Sequence, residues 1–168
     1  MRKIAVLGLG YVGLPVAAAL SARYVGVIGF DRDGERVAAL GRGEDSTGQF
    51  TAEQLGALPL TLTAEAADLT DADFYIVAVP TPIDSDRKPD LRALLAATEL
   101  VGALLKIGDV VVFNIRGRDV PIVHRILHVH ANSPADVGSR LMLTKGDNNF
   151  ADDGALYAPG QRWLRQDD

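Results

Sequence analysis

The feature that most constrains the fold is the stretch from residue 3 to residue 31, where a glycine-rich turn lies between two apolar runs. Residues 3–7 have the composition of a short buried strand, and residues 25–30 form a second run of the same kind. Between them, the turn Gly8-Leu-Gly-Tyr-Val-Gly13 precedes a helical stretch at residues 14–23. A strand, a tight turn, a helix and a second strand form a βαβ unit, so the sequence predicts an α/β fold here.

The spacing of the three glycines is typical of a turn that holds a dinucleotide phosphate. Gly8 allows a tight turn out of the strand, Gly10 leaves room for a pyrophosphate, and Gly13 lets the helix pack closely on the sheet. The helix then presents its first amides and positive dipole end to the phosphates. Asp31 ends the second strand, where a carboxylate accepts hydrogen bonds from an adenosine ribose and disfavours a 2′-phosphate. The sequence therefore predicts NAD as the cofactor, although Arg32 next to Asp31 weakens that preference.

Composition excludes several other classes of protein. The 168 residues are 48% hydrophobic and 23% charged, and the net charge of −5 disfavours a nucleic-acid partner. The sequence contains no cysteine, which excludes disulfides, thiolate nucleophiles and cysteine metal sites. We expect no membrane span, because no run of about eighteen uncharged apolar residues occurs, and no secretory signal. These features predict a soluble, cytoplasmic protein.

The alternation of strands and helices continues to about residue 113. It predicts helices at residues 34–41, 52–58 and 90–106, and strands at residues 60–63, 74–79 and 109–113. Thr51 is expected to cap the second of these helices, with Gln54 as its capping-box partner. This order of elements predicts a parallel, partial Rossmann-like sheet with helices on both faces.

The pattern changes beyond Phe113, where no further helix is expected. The sequence predicts a hairpin turn at residues 116–119, strands at 121–129 and 141–144, a polar loop at 131–139 and a turn at 145–149. This part is therefore expected to be mostly antiparallel β. We predict two domains, a Rossmann-like domain at residues 1–108 and a β-rich segment at residues 109–168.

Four motifs of the first domain occur together. They are Ile4-Ala-Val-Leu-Gly-Leu-Gly-Tyr-Val-Gly-Leu-Pro15, Gly29-Phe-Asp31, Asp45-Ser-Thr-Gly48, and Phe74-Tyr-Ile-Val-Ala-Val-Pro-Thr-Pro82 with Pro89-Asp-Leu91. With these motifs, residues 1–112 resemble the N-terminal NAD-binding domain of the UDP-glucose and UDP-N-acetylmannosamine 6-dehydrogenases. The resemblance implies a UDP-sugar substrate and a set of cofactor contacts. In these, Gly10, Tyr11 and Val12 approach the pyrophosphate, Asp31 and Arg36 the adenosine ribose, and Val79, Pro80 and Thr81 the cofactor beside the fourth strand. Residues 79–82 also fit a simple strand terminator.

A different set of motifs fills the β-rich segment. They are Gly108-Asp-Val-Val-Val-Phe-Asn-Ile-Arg-Gly-Arg-Asp-Val-Pro-Ile-Val-His-Arg125, Leu143-Thr-Lys-Gly-Asp-Asn-Asn149, Asp152-Asp153 and Leu156-Tyr-Ala-Pro-Gly-Gln-Arg-Trp163. With these motifs, residues 108–165 resemble the C-terminal part of the catalytic subunit of the endoplasmic-reticulum signal peptidase. The resemblance implies that His124 is the general base for a serine nucleophile. It implies Asp153, with Asp147 as the alternative, as the aspartate that orients the base.

Neither part carries the reactive group that its resemblance implies. The dehydrogenases act through a cysteine assisted by a lysine, and Asn114-Ile115 replace the Glu-Ser/Thr pair expected at the next strand end. The serine of the peptidase lies upstream of the first matching strand, where this chain has its dehydrogenase-like part. The strand at residues 109–113 fits both families. We therefore expect a chimera joined there, whether designed, recombinant or a gene-model artefact.

Three functions remain open. The favoured one is NAD binding by a partial dehydrogenase-like domain that does not complete UDP-sugar oxidation. The others are a serine endopeptidase fragment without its nucleophile, and a fusion with no evolved activity. An incomplete sheet would expose an edge and an apolar face, which predicts self-association. A metal site at His124, His128 and His130 is not favoured, because the first two lie about 13 Å apart on a strand.

Overall fold

The structure is a computed structural model that describes residues 3–83, 85–115, 120–130, 141–157, 161 and 163–165. The chain divides into two compact units, Met1–Val101 and Gly102–Asp168. Each unit is built around a four-stranded sheet of its own.

The first unit alternates strands and helices around a parallel sheet. In chain order its elements are β1 (Ile4–Leu7), α1 (Gly13–Ser21), β2 (Val27–Phe30), α2 (Gly34–Gly41), α3 (Ala52–Ala57), β3 (Leu60–Thr63), a 3-10 turn (Ala66–Leu69) and β4 (Phe74–Val77). Helix α4 (Arg92–Ala103) then leads into the second unit. The strand order is β3-β2-β1-β4 and every pair is parallel. The predicted Rossmann-like fold is confirmed.

Strand β1 is the centre of this unit. It lies between β2 and β4, and all four of its residues are buried, which explains why its sequence is an uninterrupted apolar run. The core beside it contains Val6, Leu9, Leu14, Ala17, Leu40 and Leu55. Leu9 lies within the glycine turn and Leu14 in the first turn of α1, and both are fully buried. The turn is therefore held to the core at both of its ends.

Side-chain caps set the helix boundaries. The predicted capping box at Thr51 and Gln54 is confirmed, since each side chain accepts the other residue's backbone N–H. Helix α2 has a cap that the sequence reading missed, Asp33. Helix α4 begins at Arg92 rather than at residue 90, because the Asp90 carboxylate accepts the Arg92 N–H at 3.0 Å before the helix starts.

The second unit is an antiparallel sheet. It contains β5 (Val110–Phe113), β6 (Ile122–His130), β7 (Leu141–Lys145), a 3-10 turn (Asp153–Ala155) and β8 (Leu164–Arg165), in the strand order β5-β6-β7-β8. The expectation that residues 109–113 extend the parallel sheet is wrong. Strand β5 pairs antiparallel with β6, with Val112 opposite Val123, because the segment that follows it supplies a complementary apolar strand. The predicted mostly antiparallel β segment is confirmed.

The three histidines of the second unit, His124, His128 and His130, lie on strand β6, which is irregular. A bulge between Ile126 and His128 breaks the regular alternation of β6, so His124 and His128 no longer share a face by simple parity. The described residues contain no group of three His, Asp or Glu side chains that could hold a metal ion.

The predicted turn at residues 116–119 and loop at 131–139 lie outside the described residues. No helix in the described part of the chain is long and apolar enough to cross a membrane.

Candidate functional site

A cleft of about 810 Å³ opens in the first unit at the carboxyl ends of β1, β2 and β4. In an open parallel sheet, this edge is where ligands bind. Eight of the predicted cofactor residues line the cleft: Gly8, Gly10, Tyr11, Val12, Asp31, Arg36, Val79 and Pro80. Gly13 and Thr81 are not among the lining residues. Helix α4 adds one face of small side chains that the sequence reading missed, Ala93, Ala96 and Ala97.

The three glycines of the turn have three different surroundings. Gly8 has a φ of +91°, and a Cβ there would lie 2.8 Å from the backbone oxygen of Ala78. A Cβ on Gly13 would lie 1.7 Å from the backbone oxygen of Gly8, so only glycine lets α1 start this close to the strand end. A Cβ on Gly10 would meet no atom within 4 Å. Gly8 and Gly13 are thus required by the fold, whereas Gly10 faces open space in the cleft.

Asp31 joins the end of β2 to the glycine turn. Its Oδ2 accepts the Leu9 N–H at 2.8 Å, and its Oδ1 accepts the Asp33 N–H at 3.0 Å. A carboxylate has about four acceptor positions, so both oxygens can still accept hydroxyl groups from the cleft side. The carboxylate is therefore fixed where the sequence places a ribose contact, and that contact stays a prediction.

Arg36 binds the protein's own backbone. Its Nε and Nη2 donate to the Leu9 carbonyl oxygen at 3.1 Å and 2.9 Å, and Nη2 also donates to Asp45 Oδ1 at 2.7 Å. Nη1 donates to Ser46 Oγ at 3.0 Å, so these contacts engage four of the five guanidinium N–H groups. One N–H of the guanidinium group remains for the contact with the adenosine ribose, which stays a prediction.

Asp45 anchors the loop at residues 45–50, a role that the sequence reading did not assign. Its side chain has no exposed surface, and that of Arg36 is 11% exposed. Although burial alone would raise it, the pKa of Asp45 is held well below its ordinary value by hydrogen bonds from Thr47 and Arg36. The Asp45 carboxylate therefore stays charged and paired. An Asp followed two residues later by Thr is the available sequence signal, because Asp side chains commonly accept that backbone N–H.

The second unit contains a buried polar network around Asp153. His124 Nδ1 lies 2.5 Å from Asp153 Oδ2, and the Thr144 hydroxyl donates to the same oxygen at 2.6 Å. The Tyr157 hydroxyl accepts the Thr144 N–H at 3.0 Å. Burial raises the pKa of Tyr157, and its hydrogen bonds with Thr144 oppose that shift only in part. The network fixes one ring nitrogen of His124 against a carboxylate that is 1% exposed.

The structure distinguishes between the two aspartates that the sequence left open. Asp147 lies in an exposed ion pair, where Arg125 donates to both carboxylate oxygens at 2.9 Å and 2.8 Å. Asp153 is the aspartate in contact with His124. The geometry is that of a base and the carboxylate that orients it, and the catalytic roles themselves stay predictions.

Together, the parallel sheet, the glycine turn and the acidic residue at the end of β2 define a dinucleotide-binding Rossmann domain. The model of the UDP-glucose/GDP-mannose dehydrogenase family, NAD binding domain, matches residues 2–115. The chain belongs to this family. Its first unit is therefore an NAD-binding domain of the kind found in UDP-sugar dehydrogenases, as predicted.

Similar proteins are much longer than the matched segment. Protein CapL of Staphylococcus aureus is 46% identical over 112 residues, which are 67% of this chain and 26% of CapL. The UDP-N-acetyl-D-glucosamine 6-dehydrogenase of Pseudomonas aeruginosa is 45% identical over 112 residues, 66% of this chain and 26% of the enzyme. The structure of UDP-D-ManNAc dehydrogenase from Pyrococcus horikoshii matches with a TM-score of 0.57 and 31% identity, over 64% of this chain and 27% of that one. The chain thus spans about a quarter of the length of these dehydrogenases.

The second resemblance is also confirmed. The signal peptidase complex catalytic subunit sec11 of Dictyostelium discoideum is 52% identical over 62 residues, 37% of this chain and 33% of that subunit. Matches of 112 and 62 residues together exceed a chain of 168 residues, so the two matches share residues. This overlap is what a chimera joined within a shared strand would produce.

Proposed function

We propose that the first unit binds NAD in the cleft at the carboxyl ends of β1, β2 and β4. The observation that carries the proposal is the open space at Gly10 between two glycines that are closely packed against backbone. Tyr11 and Val12, which follow it, are 71% and 65% exposed, so the turn is accessible to a ligand. The proposed diphosphate lies against the backbone of Gly10, Tyr11 and Val12, and Asp31 accepts the ribose hydroxyls.

The rest of the cofactor is assigned to the other walls of the same cleft. Val79 and Pro80 line it from the end of β4, and Thr81 follows them. NAD supplies a hydride acceptor when it is bound. We propose that the chain does not complete UDP-sugar oxidation, because none of its 168 residues is the cysteine that such a reaction uses. UDP-sugar binding, self-association and a cytoplasmic location stay predictions.

Calorimetric titration with NAD tests this proposal. We expect saturable binding by the wild-type chain, and at least about tenfold weaker binding by Gly10→Ala, because the added methyl occupies the space of the diphosphate. The melting temperature of Gly10→Ala should match that of the wild type, since its Cβ meets no atom within 4 Å. A folded wild-type chain that gives no binding signal with millimolar NAD would contradict the proposal.

A second candidate function is peptide hydrolysis by the second unit. The 2.5 Å contact between His124 and Asp153, together with the similarity to sec11, supports a peptidase-derived base. The serine that the resemblance implies lies upstream of the first matching strand, where this chain has its NAD-binding domain, so we expect the purified chain not to cleave a signal-peptide substrate. Cleavage that is lost in His124→Ala would instead favour this second function.

A further inference from the structure

We infer that Gln49 and the buried Arg36–Asp45 pair are positioning residues, which orient two peptide groups of the glycine turn toward a bound diphosphate. This inference rests on the proposed NAD site and assigns part of its affinity to a loop outside the turn. The loop is residues 45–50, between α2 and α3. Neither the motif Asp45-Ser-Thr-Gly48 nor Gln49 had a role in the predicted site.

The loop contacts two carbonyl groups of the turn. The Gln49 side-chain amide donates to the Tyr11 carbonyl oxygen at 3.0 Å. Arg36, which Asp45 holds, donates two hydrogen bonds to the Leu9 carbonyl oxygen. The Leu9 and Tyr11 carbonyl groups, which precede and follow Gly10, therefore both accept hydrogen bonds from side chains associated with this loop.

Holding a carbonyl group also fixes the direction of the next amide. A trans peptide is planar, with its C=O and N–H pointing in opposite directions. The bond from Arg36 to the Leu9 carbonyl therefore orients the Gly10 N–H, and the bond from Gln49 to the Tyr11 carbonyl orients the Val12 N–H. Gly10 and Val12 both line the cleft, and they are residues to which the proposed function assigns the diphosphate.

Asp45 makes the loop rigid enough for this task. Its carboxylate accepts the backbone N–H groups of Thr47 and Gln49 at 3.0 Å each and that of Phe50 at 3.2 Å. The Gln49 backbone is thus fixed by the same buried carboxylate that pairs with Arg36. Both contacts with the turn depend on one anchor, which sets their positions relative to each other.

The expected consequence concerns diphosphate ligands specifically. Amides that are oriented before binding need no ordering when the anion arrives, and such preorganisation increases affinity. The adenosine ribose is instead assigned to Asp31, which is held by Leu9 and Asp33 rather than by the loop. Losing the Gln49 contact should therefore weaken NAD and ADP but not adenosine.

The test compares Gln49→Leu with Gln54→Leu, a matched control. Gln49 is exposed, so its replacement should leave the melting temperature within about 2 °C of the wild type. We expect Gln49→Leu to bind NAD and ADP about tenfold more weakly in calorimetry. Adenosine, followed by NMR at millimolar concentration, should bind both proteins equally. Gln54→Leu loses one capping hydrogen bond and should lower the melting temperature without changing NAD affinity.

Two results separate this inference from the proposed function. If the wild type binds NAD and ADP, and Gln49→Leu binds them equally well, the inference is wrong while the NAD site stands. Equal weakening of adenosine and NAD by Gln49→Leu would also overturn it, since that pattern indicates a general structural loss. A wild-type chain that binds neither NAD nor ADP would overturn the inference and the proposed function together.

Discussion

The variant Gly13→Ala is expected to lose at least about 3 kcal/mol of unfolding free energy in the first unit, a large share of the roughly 5 to 15 kcal/mol that stabilises an ordinary domain. The new Cβ would lie 1.7 Å from the oxygen and 2.9 Å from the carbonyl carbon of Gly8. Both atoms belong to the backbone, so no side-chain rotation relieves the clash. Helix α1 would have to move away from β1, and its buried Leu14 and Ala17 would lose their packing.

Urea unfolding followed by far-ultraviolet circular dichroism measures this loss. The fluorescence of Trp163, the chain's single tryptophan, reports separately on the second unit. Gly56→Ala is the matched control, because this glycine lies in α3 with no atom within 4 Å of a built Cβ. We expect that control to be neutral or stabilised by up to about 1 kcal/mol. A Gly13→Ala chain as stable as the wild type would mean that the close approach of α1 to the turn is not as the structure has it.

The second large effect is expected from Asp153→Ala. This change removes the acceptor of both His124 and Thr144 from a site that is 1% exposed. Because it removes the carboxylate partner of His124 and leaves the buried Thr144 hydroxyl with Tyr157 alone, the second unit should lose about 2 to 4 kcal/mol of unfolding free energy. Urea unfolding monitored by Trp163 fluorescence measures the change. The helical signal in far-ultraviolet circular dichroism, which comes mainly from the first unit, serves as the internal reference.

Asp147→Ala is the control for that experiment. The Asp147 carboxylate is also paired with a basic side chain, Arg125, but both members are exposed to water. Exposed ion pairs contribute little to stability, so we expect only a small change. If Asp147→Ala destabilised the second unit as much as Asp153→Ala, the distinction between the two aspartates would be lost.

The first βαβ unit was predictable because several local signals agree there. The apolar run of β1, the glycines of the turn and the acid after β2 each favour the same structure, and the core residues Leu9 and Leu14 complete it. The sheet membership of β5 was not predictable in the same way. Its Val-Val-Val run suits a parallel or an antiparallel sheet, and its partner is decided by a pairing with Val123, which a local pattern does not specify.

The candidate site likewise contains some residues that a local motif predicts and some contacts that it does not. The cleft-lining residues near Gly10 and Asp31 follow from spacing within one motif. The hydrogen bond from the Gln49 side chain to the Tyr11 carbonyl oxygen joins residues 38 positions apart. No sequence pattern encodes such a contact. The assignment of Arg36 to the ribose identified an important residue, but the structure shows most of its donors engaged by Leu9, Asp45 and Ser46. Tertiary contacts, rather than spacing, determine what that guanidinium binds.

The central claim is that the first unit holds NAD through the backbone of its glycine turn. Amide chemical shifts recorded by two-dimensional NMR during an NAD titration test it most directly. We predict that the largest saturable shifts occur at Gly10, Tyr11 and Val12, with smaller changes at residues 31–33 and none at the strands of the second unit. Saturable shifts confined to the second unit, or no shifts in a folded chain at millimolar NAD, would contradict the claim.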